Sequence, residues 1–82
     1  MRVYYVTFRS VTFGQQAERL LKSSGFRCSL HRSPRWMEEQ GCGYALQVRT
    51  PEIAPAVALL NEQRIPLRRV YVQGQDGKMV AV

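Results

Sequence analysis

RVYYVTFRSVTFGQQAERLLKSSGFRCSL, residues 2–30, contains the two changes of period that decide the fold. Its first eight residues are β-branched and aromatic, with Tyr4, Val6 and Phe8 at period two, which is the pattern of a half-buried strand. The period then lengthens. Phe13, Ala17, Leu20 and Leu21 recur at helical spacing, Thr12 and Gln15 have the spacing of a capping box, and Gly25 supplies a stop. Alternation returns at Phe26, Cys28 and Leu30, interleaved with Arg27, Ser29 and His31, so a second strand is expected with Cys28 on its inward face.

Working outward, RSPRWMEEQGCG at 32–43 has no alternation, an early proline and two late glycines, and reads as a loop. Tyr44, Leu46 and Val48 alternate with Ala45, Gln47 and Arg49 in a third strand. Thr50 and Pro51 fit the cap and first residue of a second helix carrying Ile53, Val57 and Leu60 on one face, although Pro55 leaves its start open. Residues 68–73 form a fourth strand, GQDG a turn and KMVAV a short fifth strand. The order βαββαβ with a terminal hairpin predicts a ferredoxin-like α+β fold, an antiparallel sheet with two helices on one face, formed by residues 1–82 as a single domain.

Composition narrows the function. A 45 % hydrophobic and 22 % charged chain is an ordinary globular composition. Arg9 and polar neighbours break the N-terminal apolar run before it reaches signal-peptide or membrane-spanning length, so a cytoplasmic protein without membrane attachment is expected. Two cysteines without metal or CxxC spacing point to thiols, with no metal and no cofactor. Ten arginines and two lysines against six acidic residues give +6, spread along the chain with no basic tail. Glu38 and Glu39 read as solvated charge, and Trp36 as either the lid of a core or an anchor for a partner.

The residue suited to chemistry is Cys42. Gly41 and Gly43 flank it, so no adjacent side chain shields its sulfur. A nucleophilic thiol also needs its anion stabilised, since the free group titrates near 8.5 and positive neighbours lower that value. Arg32 and Arg35 share its loop, and His31 ends the strand feeding it. Packing of Cys42 as a small apolar residue in a turn is the competing reading.

Phe8 and Ser10 at the end of the first strand, Glu18 and Leu21 on the first helix, then Pro34-Arg35 and Cys42-Gly43 together resemble a family of short bacterial proteins described as selenium or sulfur carrier-like. That family commonly has a further proline two residues before the Pro-Arg pair, where this chain has Arg32. The resemblance implies that Cys42 is the carrier position, holding sulfur or selenium as a persulfide or its selenium analogue. It also implies Arg35 as stabiliser of the thiolate or persulfide, and Gly41, Gly43, Pro34, Arg32 and His31 as the surroundings that bind and give access. Such a protein is a thiol carrier rather than a turnover enzyme, and its partners would be a sulfur or selenium donor enzyme and an acceptor protein.

Two rival readings remain open. A small regulatory or assembly domain could pair through the open sheet face, as a homodimer for instance, using Tyr5, Arg27, Ser29, His31, Gln47 and Arg49. An RRM-like RNA-binding module has the same element order, and GYALQV is similar to part of its third-strand motif. There, however, Tyr44 and Leu46 would have to face out, which would bury Arg49 without a partner. Sequence-specific nucleic-acid recognition is therefore not expected, and any affinity should be weak and charge-driven.

Overall fold

A computed structural model describes residues 2–32, 43–74 and 79–82. Strand β1 spans Arg2–Thr7, helix α1 Val11–Ser23, β2 Arg27–Arg32, β3 Tyr44–Thr50, helix α2 Ala54–Glu62, β4 Val70–Gln73 and β5 Met79–Ala81. The strands form one antiparallel sheet in the order β2-β3-β1-β4-β5. Apart from the hairpin strand, this is the ferredoxin-like order expected from the periods.

The alternation sets the faces. Tyr4, Val6, Phe8, Leu46 and Val48 are buried, and Ala17 and Leu21 of α1 and Ala56 and Leu60 of α2 close over them in one core, so both helices lie on the same side. Withdrawing each large member from water contributes about 1.5–3 kcal/mol. The terminal hairpin is paired through Tyr71 with Ala81 and Gln73 with Met79. The turn drawn at GQDG falls largely outside the described residues.

Helix ends depart from expectation. Ser10, not Thr12, caps α1: its extended backbone (φ −143°, ψ 158°) turns the side chain back, and its Oγ accepts from the Phe13 N–H at 3.4 Å. The stop is as expected. Gly25 takes φ 92° in a Schellman turn, with Phe26 N–H bonded to Leu21 O and Gly25 N–H to Lys22 O. α2 starts three residues later than Thr50-Pro51 suggested, because Thr50 belongs to β3 and its hydroxyl donates to the Glu52 carbonyl. Pro55 thereby sits in the first turn, where the missing N–H has no helical partner to lose. α2 ends in the same type of turn as α1, but the left-handed position is taken by Arg64 at φ 58°. The fourth strand begins at Val70 rather than Arg68, although Arg68 N–H still reaches Thr7 O at 2.7 Å.

β2 is an outer strand whose free edge would invite a further strand. Glu18 of α1 answers this: its carboxylate accepts the Leu30 N–H at 2.9 Å and lies 3.6 Å from Lys22 Nζ. Buried Gly14 lets the helix come close, since a Cβ there would stand 3.0 Å from Leu30 Cδ1.

Candidate functional site

Cys42, Arg35, Gly41 and Pro34 lie outside the described residues. The frame that carries both ends of their segment is described. Arg32 closes β2, Tyr44 opens β3, and the two are paired across the strands, so the chain leaves and re-enters the sheet at adjacent positions. Gly43, next in sequence to Cys42, has φ 83°, a conformation costly for any residue with a Cβ. Geometry therefore requires that glycine. His31 and Arg32 are both exposed but alternate in direction: His31 lies on the open face, its Nε2 2.6 Å from Ser29 Oγ, and Arg32 on the helix side.

Strand direction determines what else gathers at this end of the sheet. β1 runs antiparallel to β3 and β4, so the end of β1 and the start of β4 lie beside the start of β3. Thr7 N–H donates to Arg69 O at 2.9 Å, and Arg69 N–H to Thr7 Oγ1 at 3.1 Å. Arg9, Arg68 and Arg69 line a cleft of about 560 Å³ together with Leu67, Val70 and the C-terminal Ala81 and Val82. It lies about two strand spacings from β3, roughly 10 Å, comparable to the screening length near 0.1 M salt. The α1 N-terminus, with no acidic residue in its first turn, adds its positive dipole end on the same side. Along the sequence this charge is dispersed. Only the pairing of β1 with β4 shows that arginines sixty positions apart in sequence share one cleft.

The other thiol is restrained. Cys28 is half-buried against the core, and its Sγ donates to the Glu18 carbonyl at 3.6 Å. Burial, with the Glu18 carboxylate as a lesser cause, raises its pKa above the ordinary 9.0, and Lys22 only partly opposes this. A thiol held neutral and turned inward is a poor nucleophile.

The family described as "Putative Se/S carrier protein-like" matches residues 3–72. The chain belongs to this family. No curated protein and no solved structure matches it. Four of the residues that carried the resemblance prove to build the frame: Phe8 and Leu21 are fully buried, Ser10 caps α1, and Glu18 ties α1 to β2. The matched span also includes Pro34-Arg35 and Cys42-Gly43. No helix among the described residues is long and apolar enough to cross a membrane.

Proposed function

We propose that this carrier-family protein holds sulfur or selenium on the Cys42 thiol, presented in its Gly-Cys-Gly loop, between a donor enzyme and an acceptor protein. The observation that carries the reading is the family match over residues 3–72 in a chain with two thiols, one of which, Cys28, is half-buried and shifted toward its neutral form. The basic end of the sheet, with Arg9, Arg68 and Arg69 around one cleft, supports it, because a field of that sign favours a thiolate and attracts anionic groups.

In the relay, the Cys42 thiolate attacks the outer sulfur of a donor persulfide. One S–S bond forms, the donor S–S bond breaks, and the donor leaves as a thiolate, so no external oxidant is needed. The acceptor removes the outer atom by the same exchange. Arg35 stabilises the thiolate and persulfide through its guanidinium, Pro34 belongs to the same loop, and His31 and Arg32 end the strand that feeds it.

The test is intact mass after incubation with a cysteine desulfurase and cysteine or selenocysteine. Wild type gains one sulfur or selenium atom and Cys42→Ser gains none. The same gain in Cys42→Ser, or none in wild type with either substrate, rejects the reading.

A further inference from the structure

The sheet face turned away from the helices carries a row of cross-strand partners: Ser29 on β2, Gln47 on β3, Tyr5 on β1 and Tyr71 on β4. Tyr5 and Tyr71 stand directly opposite each other and are half-buried, so each ring keeps part of its surface exposed. The Gln47 amide donates to the Tyr5 hydroxyl at 3.0 Å, which fixes the Tyr5 ring at the centre of the sheet. One step along the pleat, Arg27 and Arg49 are also direct partners and both are exposed. Like charges directly opposite each other destabilise a sheet. Here they flank a depression of about 290 Å³ lined also by Ser29 and Gln47, with no carboxylate among its described lining residues.

The geometry points to a platform for single-stranded nucleic acid, with bases stacking on Tyr5 and Tyr71 and a phosphate received between Arg27 and Arg49. Tyr5 lies about 7 Å along the strands and one and a half strand spacings across them from the midpoint of Arg27 and Arg49, roughly 10 Å in all, with Tyr71 one spacing further, a span that about two successive nucleotides can cover. A flat aromatic pair accepts any base, and bases become available only when unpaired, so the occupant is a single strand bound with little sequence preference. The aromatic residue considered on β3, Tyr44, shares the helix-side register of Leu46 and Val48, so the platform uses different rings from the RRM motif on that strand. A second copy of this chain fits less well, because it would bring another Arg27–Arg49 pair to a face whose described residues include no acid.

Fluorescence anisotropy with a labelled mixed-sequence RNA of about ten nucleotides tests the assignment, with its duplex and base-free heparin as comparisons. The expected result is preferential binding of the single strand, with a log–log salt slope near about −0.7 for the one phosphate held between Arg27 and Arg49, and a shallower slope in Arg27→Gln. Tyr5→Leu and Tyr71→Leu should each weaken binding about fivefold or more, while Tyr5→Phe and the helix-surface control Arg19→Gln stay within about twofold. Cys42→Ser should bind as wild type does, which separates this result from the carrier reading. Equal affinity for duplex or heparin, or undiminished binding in both leucine variants, overturns the assignment. So does a dimer, seen by light scattering, that Arg27→Gln dissociates and that binds no RNA.

Discussion

In a Cys42→Ser background Cys28 is the remaining thiol, and its modification rate measures the second strand directly. A thiol at 9.0 is about 3 % thiolate at pH 7.5, and Cys28 is raised above that value, so its reactive fraction is smaller still. An unshifted, exposed thiol keeps that fraction on the same reference value, so ionisation alone already favours Cys42 by the extent of the Cys28 shift. Partial burial of the Cys28 sulfur and its contact with the Glu18 carbonyl add an access factor, which brings the expected ratio to about tenfold or more. The assay is mass-resolved alkylation of the single-cysteine variants Cys42→Ser and Cys28→Ser from pH 6 to 10. The Cys28 rate should keep rising past pH 9 without a plateau. A plateau below pH 9, or a Cys28 rate matching that of Cys42, would refute both the inward placement and the cause assigned to its shift.

Three further outcomes follow from the frame. Ser10→Ala should cost about 0.5–1 kcal/mol in urea denaturation while Thr12→Ala costs less, because Ser10 makes the capping bond. Arg64→Gly should stabilise by about 0.5–1 kcal/mol, the relief of a left-handed residue less the entropy glycine adds to the unfolded chain, and an unchanged or lower urea midpoint would deny the left-handed cap. Folding holds Cys28 neutral to higher pH than unfolding does, so its contribution is complete below about pH 9 and is lost as pH rises through the folded value; Cys28→Ala should therefore flatten the alkaline fall in melting temperature.

Period was legible wherever one face of an element is buried. Tyr4, Val6 and Phe8, then Leu46 and Val48, announced their strands because each apolar residue returns to the same side, and the core contains all five. Ends were less legible, since they depend on single side chains competing for backbone groups: Ser10 and Thr12 are both able caps, and only the extended backbone at Ser10 decides between them. Thr50-Pro51 imitates a helix start, yet Thr50 faces Arg2 in the β3–β1 ladder, and pairing outweighs local preference. The carrier segment illustrates a different boundary. Gly43 could be marked from sequence as permissive, and its φ of 83° gives the physical reason, whereas the neighbouring arginine cleft depends on non-local pairing that no local pattern encodes.

Glu18 bears on both the fold and the thiols, because β2 touches the rest of the sheet on one side only and its register decides which face Cys28 takes. A slip of one residue against β3 would exchange the faces of every β2 side chain, bringing Cys28 out beside Arg49 and turning Arg27 and Ser29 toward the core. The outer edge is held by the Glu18 carboxylate on Leu30 N–H, and the packing of Leu30 against Gly14 favours the same register. Glu18→Gln preserves the shape and an acceptor but loses the charge, so it should lower the Cys28 pKa and cost about 1 kcal/mol at that bond. Glu18→Ala removes the acceptor altogether, exposing the edge to water and to other chains. In Cys42→Ser, the Ala variant should raise Cys28 alkylation severalfold at pH 7.5 and speed amide exchange at Leu30, with the largest changes confined to β2. Unchanged exchange at Leu30 would show that α1 does not hold the strand, and the protection of Cys28 would then rest on its packing alone.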